Sequence, residues 1–285
     1  MLVDLKTGDV AARKRLSKFD EEDTPSIKNR ALKDFLNEAR LMQRNPHLLA
    51  LREEPVPSIL MPYYPHGNIA RMSLRPDQYH RAFRQLLIVL DYLHGRNVAH
   101  RDLKPENILV ERLDPIHIVV SDFGLSREAI PGSLMTTFCG TRLYSAPDIF
   151  PYHDRGQSVQ GYWVSVDIWS AGMIMFEWMY GLPDTVGMGS LSPDEYIVSW
   201  SQVILSAVRE KDVKLPIDPV IDILKHMLVI DPQDRYQARD CLQQGWQNGL
   251  FKRTRSDGVI DIKDSDADDF VDKLSKPEGQ TTPGC

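Results

Sequence analysis

The sequence predicts an α+β protein in two lobes. Strand patterns come first along the chain, helical patterns follow, and a proline-rich linker joins them. The predicted parts are a small β-rich lobe over 1–64, a larger and mainly helical lobe over 65–251, and an acidic, disordered tail over 252–285. We expect a ligand to bind in the cleft between the two lobes.

The small lobe is predicted to combine strands with one helix. Residues 1–16 are expected to be extended, with a strand at their C-terminal end. Apolar residues at steps of three or four predict a helix over 26–44, which Asn45-Pro46 ends. The apolar run 58–61 predicts a buried strand. Prolines in 62–67 prevent a continuing strand ladder, so this stretch is the predicted linker, or hinge.

The larger lobe is predicted to begin with a long helix over 76–94, where leucines form an apolar stripe. Two short strands, 108–110 and 116–120, are expected on either side of a turn at Asp114-Pro115. Residues 125–147 predict a long irregular loop, which is expected to be functional or disordered. Further helices are predicted near 165–180, 194–210 and 217–229.

Composition excludes several classes of protein. The net charge is −6, with many acidic residues near the C-terminal end, so a broad nucleic-acid surface is not expected. Three scattered cysteines do not suggest a disulfide or zinc framework. No apolar run reaches the roughly 18 residues of a membrane-spanning helix, and the charged N-terminal segment does not resemble a signal peptide. The expected location is therefore the cytoplasm, the nucleus or both, with no membrane partner.

Two motifs carry chemistry. Residues 100–107 read HRDLKPEN, and residues 122–124 read DFG. Their Asp102, Lys104, Asn107 and Asp122 supply a carboxylate, an ammonium group, an amide and a second carboxylate. One acid can accept a hydroxyl proton, a cation can offset phosphate charge, and hard oxygen ligands can hold Mg²⁺. These groups suit transfer of the terminal phosphoryl group of a nucleotide to a hydroxyl.

Both motifs match the protein-kinase signature set, and the chain resembles a eukaryotic-type protein kinase from about residue 2 to about residue 251. Three further motifs agree with that family in order and spacing, and five matches in the right order make coincidence negligible. These three are Cys139–Asp148 (CGTRLYSAPD), Asp167–Gly172 (DIWSAG) and Asp231–Arg235 (DPQDR).

The resemblance implies a role for each matching residue. Asp102 resembles the catalytic base, and Lys104 resembles the lysine that stabilises the transferring phosphoryl group. Asn107 and Asp122 resemble the Mg²⁺ ligands. A lysine at position 104 is the pattern of Ser/Thr kinases. The implied function is therefore ATP- and Mg²⁺-dependent phosphorylation of Ser and Thr in protein substrates.

The resemblance also implies nucleotide contacts. Lys14 resembles the strand lysine that pairs with the α- and β-phosphates, although its neighbours Arg13 and Arg15 are alternatives because strand register is easily miscounted. Glu38 resembles the helix glutamate that pairs with this lysine. The alternatives to Glu38 are Glu22, Glu53 and Glu54.

The adenine is expected to contact the linker and two apolar residues. Met61 falls at the gatekeeper position, and the backbone of the hinge as far as Tyr64 would meet the adenine. Ala12 and Leu109 would enclose the adenine ring from opposite sides.

A regulatory site is implied in the long loop. Thr137 stands where the family's activating phosphosite lies, with Thr136 as an alternative. Arg101 and Arg127 match positions that bind this phosphate. An upstream activating kinase is therefore a predicted partner.

The sequence also departs from the family. No G-x-G-x-x-G precedes Lys14, so we expect an N-terminally truncated kinase, either a clipped sequence, which is favoured, or a natural fragment with weakened nucleotide binding. The usual five-stranded sheet is expected to shrink to about three strands. Asp148 replaces a glutamate but retains the ability to pair with Arg235. The rival functions are a catalytically weak or inactive kinase-like scaffold and a small-molecule phosphotransferase.

Overall fold

The computed structural model describes residues 58–251 with three gaps and the part before them in short segments. Among the segments before residue 58, only Ala12 has a described side chain. The described residues are 2–3, 10–15, 50–52, 58–122, 127–128, 142–149 and 162–251.

The N-terminal segments form one antiparallel sheet with the strand order β1-β2-β4-β3. The register places Ala12 of β2 opposite Met61 of β4 and Lys14 opposite Ile59. Four strands are described where about three were expected, because two very short strands carry too little pattern to be predicted. The strands are β1 (Leu2–Val3), β2 (Val10–Arg15), β3 (Ala50–Arg52) and β4 (Ser58–Pro62).

Short strands shape the middle of the chain. The linker is tied to the β6–β7 hairpin, since Val110 N donates to Gly67 O at 2.9 Å and Asn68 forms an isolated bridge with Leu109. Strand β5, which follows the first helix, pairs antiparallel with β8. These strands are β5 (Val98–Ala99), β6 (Ile108–Leu113), β7 (Ile116–Val120) and β8 (Arg127–Glu128).

Helices build the rest of the described chain. Proline occupies the first position of α1, α3 and α4, where the missing N–H costs nothing. Ser192 and Glu195 form a capping box at the start of α3. The helices are α1 (Pro76–His94), α2 (Tyr162–Tyr180), α3 (Pro193–Lys214), α4 (Pro219–Met227) and α5 (Ala238–Gln247).

The hydrophobic core lies between the helices, and α2 runs through it. Most of the apolar stripe of α1 is fully buried, and α2 is apolar on nearly every side, as expected for a helix surrounded by protein. The largest fully buried side chains include Trp169, Trp200, Phe83 and Phe176.

Most predicted elements within the described residues are confirmed. The helix at 76–94 and the strand at 116–120 have the predicted bounds, and the other predicted helices exist with shifted ends. Helix α5 was not predicted. The predicted helix 26–44 and the predicted tail 252–285 lie outside the described residues, and the lobe boundary at 62–67 stays a prediction. None of the helices described here is long and apolar enough to cross a bilayer.

Candidate active site

Two of the predicted catalytic residues, Lys104 and Asn107, donate to the carboxylate of the third, Asp102. Lys104 Nζ donates to Asp102 Oδ2 at 2.9 Å, and Asn107 Nδ2 donates to the same oxygen at 3.1 Å. Asn107 Nδ2 also donates to the backbone oxygen of Asp102 at 2.7 Å. A carboxylate flanked by a cation and an amide is held in one orientation, as a base aimed at a substrate must be.

A 3-10 turn brings the amide of Asn107 within hydrogen-bonding distance of the Asp102 carboxylate. The turn spans Pro105–Asn107, and Asn107 N donates to Lys104 O at 3.0 Å. Proline suits this start because it has a fixed φ and no N–H to satisfy. After the turn the chain enters β6, returns along β7 and reaches Asp122. Two distant stretches of sequence are thereby brought to one place.

The buried carboxylate of Asp167, on α2, anchors the loop that carries Asp102. Its Oδ2 accepts from His100 N at 2.8 Å and its Oδ1 accepts from Arg101 N at 2.8 Å. His94 Nε2 lies 3.0 Å from Oδ2. Asp167 is fully buried, so these donors replace the water that its charge would otherwise need.

The backbone takes a left-handed conformation at two positions of the site. Arg101 has φ of 70° and Asp122 has φ of 64°. This region costs a non-glycine residue on the order of 1 kcal/mol or more, and Asp tolerates it better than most residues. The bond from Arg101 N to Asp167 helps to hold the first of these two conformations.

His100 is fully buried and links the two catalytic segments. Its Nδ1 lies 3.4 Å from the N–H of Asp102, and its Nε2 lies 3.0 Å from Ser121 O. An Nδ1 that accepts places the ring proton on Nε2, which then donates to Ser121 O. Burial lowers the pKa of His100, while the nearby Asp167 carboxylate opposes this shift, so the neutral ring is favoured.

The segment 142–149 packs against the helices α2 and α3. Ser170 Oγ donates to Tyr144 O at 2.8 Å, and Trp200 Nε1 donates to Leu143 O at 2.8 Å. Tyr144 Oη donates to Glu177 Oε2 at 2.8 Å. Burial raises the pKa of Glu177, the hydrogen bond from Tyr144 opposes this, and the Glu106 carboxylate adds to the rise.

Arg235 fixes the end of this segment, and the predicted pairing with Asp148 is confirmed. Its Nη2 donates to Asp148 Oδ1 at 2.8 Å. The guanidinium also donates to Ser165 O at 2.8 Å and to Val229 O from two nitrogens, at 2.8 and 3.2 Å. It lies 5.3 Å from the centre of the Trp169 ring, within cation–π range.

The predicted adenine contacts lie along the linker and the sheet. Met61 and Leu109 are partly buried, and Ala12 is opposite Met61 in the β2–β4 register. Tyr64 is buried, and burial, helped by the Glu111 carboxylate, raises the pKa of its phenol to about 12. Tyr64 O accepts from Gly67 N at 3.0 Å in the turn that ends the linker. These placements leave the roles of the four residues as predictions.

The other predicted site residues are only partly described. Lys14 and Arg127 lie on strands β2 and β8, but their side chains are outside the description. Glu38 and Thr137 lie entirely outside the described residues. Arg101 is buried beside the catalytic loop. The predicted phosphate-dependent control of the loop therefore stays a prediction.

Sequence reasoning did not assign a role to Asp167, His94 or Ser121. Asp167 and Ser121 bond to the catalytic segment 100–107, and His94 bonds to Asp167. One signal was present. Asp167 is the single acid in a long apolar stretch of α2, and a charged residue in such surroundings is buried only when it has partners.

The chain belongs to the protein kinase family, since the model of the protein kinase domain matches residues 1–247. The family predicted from the motifs is thereby confirmed.

Several curated relatives are named as protein kinases. The DNA damage response protein kinase DUN1 of Saccharomyces cerevisiae is 32% identical over 206 residues, which cover 65% of this chain and 38% of that protein. The serine/threonine-protein kinase ULK3 of Homo sapiens is 27% identical over 237 residues, covering 78% and 47%. The Aurora kinase of Yarrowia lipolytica is 29% identical over 262 residues, covering 86% and 63%. The chain spans less than two thirds of the length of each relative.

Solved structures show the same fold. The Rad53 kinase domain crystallised with SCD2 and AMPPNP superposes with a TM-score of 0.59 at 22% identity, covering 90% of this chain and 88% of that one. The predicted kinase-like α+β fold, with a small sheet and a larger helical part, is confirmed.

Proposed function

We propose that this chain is a protein Ser/Thr kinase that transfers the γ-phosphoryl group of ATP to protein hydroxyls. The substrate oxygen attacks the γ-phosphorus, the bond from that phosphorus to the bridging β–γ oxygen breaks, and ADP leaves. The hydroxyl proton passes to Asp102. The family and the naming of the relatives as serine/threonine-protein kinases support the proposal.

The observation that carries this proposal is the convergence of Lys104 and Asn107 on Asp102 Oδ2. An ammonium group beside the base can offset the charge that spreads over the phosphoryl oxygens in the transition state. The amide keeps the carboxylate turned toward the same place. Positioning and electrostatics supply most of the rate in this chemistry.

Asn107 and Asp122 fit a role as Mg²⁺ ligands. Both partners of Asn107 Nδ2 are oxygen acceptors, so the amide must turn its NH₂ toward them and leave Oδ1 for a cation. Asp122 is exposed after β7 and offers a hard oxygen. Within the described residues no group of three or more His, Cys, Asp or Glu side chains is placed to hold a metal. An amide and one carboxylate would suffice, because Mg²⁺ keeps waters and binds phosphates, whose charge it neutralises when bound.

Substitution of the proposed base tests the function. Asp102→Asn keeps the shape of the side chain but cannot accept the proton, so phosphate transfer to a mixed Ser/Thr protein substrate should fall by about 10²- to 10⁴-fold. The matched control is Asp194→Asn, an exposed carboxylate in the first turn of α3. Transfer that persists in Asp102→Asn would contradict the mechanism.

The same assay separates the rival functions. A scaffold would show no Mg²⁺-dependent transfer by the unchanged protein, and a small-molecule phosphotransferase would leave protein substrates unlabelled. Intact Asp102, Lys104 and Asn107 favour the kinase over the scaffold. An upstream activating kinase, binding of ATP through the predicted contacts, and a location in the cytoplasm or nucleus are parts of the same proposal.

A preference for basic substrates is a finer part of the proposal. Glu177 is half-buried and receives a hydrogen bond from Tyr144, and the carboxylate of Glu106 is close enough to raise the pKa of Glu177. Two acids beside the catalytic loop would attract arginine in a peptide. A peptide array should therefore favour arginines upstream of the target hydroxyl, and Glu177→Gln should weaken that preference. An array without this preference would contradict it.

A further inference from the structure

Ser121 closes a ring of hydrogen bonds that joins the proposed base to Asn107, one of the two predicted metal ligands. The ring contains Asp102, His100, Ser121 and Asn107. Asp102 N faces His100 Nδ1, His100 Nε2 donates to Ser121 O, and Ser121 donates to Asn107 O. Asn107 Nδ2 returns to Asp102 through two bonds. Each residue therefore positions the next, and the chain of contacts ends where it began.

The contact between Ser121 and Asn107 is doubled. Ser121 N donates to Asn107 O at 2.8 Å, and Ser121 Oγ donates to the same oxygen at 3.1 Å. The backbone bond is available to any residue except proline, whereas the second bond needs a hydroxyl. Alanine or valine at this position would keep the backbone bond to Asn107 O and lose only the side-chain bond.

The bond from the Ser121 hydroxyl to Asn107 O also affects Asp122, because Ser121 and Asp122 are neighbours in the chain. The residue immediately precedes Asp122, whose backbone has φ of 64° and must be held in that conformation. A hydroxyl that binds Asn107 O fixes Asn107 relative to the start of the Asp122 segment. The hydroxyl bond therefore adds to the backbone bond that already connects the two proposed Mg²⁺ ligands through Ser121.

We propose that the Ser121 hydroxyl is a positioning group that sets the spacing of Asn107 and Asp122 and thereby the Mg²⁺ concentration that the kinase needs. The inference rests on the proposed function for its effect on turnover. The ring itself is a property of the ligand-free chain and can be tested without any activity.

Three variants isolate the hydroxyl. Ser121→Ala removes it, and Ser121→Thr retains it. Ser201→Ala is the matched control, because Ser201 is buried and its Oγ donates to one backbone oxygen, that of Val198, at 2.7 Å on α3. Ser201→Ala thus loses the same kind of bond at a place remote from the ring.

The first measurement is hydrogen exchange of the ligand-free proteins over residues 100–107 and 120–122. Ser121→Ala should exchange faster than the unchanged protein in both stretches, and Ser121→Thr should restore slow exchange. Ser201→Ala should leave both stretches unchanged. Equal exchange in Ser121→Ala and Ser201→Ala would overturn the positioning role.

The second measurement is turnover against Mg²⁺ at fixed ATP. Ser121→Ala should raise the half-saturating Mg²⁺ concentration about fivefold, the effect of one neutral hydrogen bond, with a smaller change in kcat at saturating Mg²⁺. Ser121→Thr should return the value to normal. An unchanged Mg²⁺ requirement in Ser121→Ala would contradict the inference. If the unchanged protein shows no turnover, the proposed function fails and the exchange measurement alone decides the ring.

Discussion

Two buried charges, Asp167 on α2 and Arg235 beside the Trp169 ring of the same helix, bind backbone groups of opposite polarity. Asp167 accepts backbone N–H groups from the loop that carries Asp102. Arg235 donates to backbone C=O groups of Ser165 and Val229 and to the Asp148 carboxylate. Asp167 therefore satisfies N–H groups of the irregular loop that carries Asp102, and Arg235 bonds to the irregular backbone at Val229 and to a carbonyl in the first turn of α2.

The difference between the two regions lies in what each one holds. The Asp167 region holds the catalytic loop, so its disturbance should affect both stability and rate. The Arg235 region holds the segment 142–149 against the start of α2, so its disturbance should affect stability above all. A buried charge is costly without partners, which makes both regions sensitive to small substitutions.

Arg235→Met should produce the largest loss of stability. It removes a fully buried guanidinium side chain and leaves Asp148 and two backbone carbonyls without this donor. Breaking a buried ion pair in this way costs about 3–5 kcal/mol of unfolding free energy. Urea unfolding monitored by tryptophan fluorescence would measure the loss. A loss below about 1 kcal/mol, within the range of ordinary surface substitutions, would show that the region is not held by this charge.

Asp167→Asn should come next and should also reduce turnover. Either orientation of the amide directs an NH₂ group at a backbone N–H, of His100 or of Arg101. One lost bond to a charged group costs about 1.5–3 kcal/mol. Unfolding measurements together with kcat would separate this variant from Arg235→Met. If turnover per folded molecule stayed normal, the two regions would not differ in the way proposed.

The pH should distinguish the regions as well, with a smaller effect. Burial lowers the pKa of His100 below its usual 6.5, so the unfolded chain takes up a proton first as the pH falls. Stability is therefore retained above pH 6.5 and lost below it, by about 1 kcal/mol per pH unit until the folded His100 titrates.

His100→Gln removes this titration, and urea unfolding at pH 7.5 and 5.5 should show a shallower pH dependence for the variant. His66→Gln, at an exposed position in the linker, is the control and should keep the original dependence. An equal pH dependence of stability in all three proteins would show that the titration of His100 does not cause the loss.

Asp148→Glu should have the smallest effect. The longer acid occurs in the family motif, and the charge-assisted bond to Arg235 can re-form, so unfolding free energy should change by no more than about 1 kcal/mol. Thermal unfolding of the variant beside the unchanged protein is the measurement. A loss as large as that of Arg235→Met would mean that the exact reach of Asp148 matters as much as its charge.

Hydrophobic periodicity predicted the helices and strands that are long and apolar enough to show it. The α1 helix has an apolar stripe from Phe83 to Leu93, about three turns long, and its predicted bounds 76–94 are those observed. The α5 helix was missed although Ala238, Cys241, Leu242 and Gly245 follow the helical spacing, because polar residues dominate the stretch. The strands β1 and β3 are too short to carry any alternation.

The sequence by itself determined the family and the catalytic motif, and it supplied the proposal that Asp102 is the base, because these depend on residue types at fixed short spacings. Tertiary structure decided which distant groups meet: Asp167 with His94 and the catalytic loop, Ser121 with Asn107, and Arg235 with Asp148. These partners are between 14 and 87 positions apart. Short spacing constrains geometry through the backbone, whereas contacts across such separations exist only when packing brings the segments together.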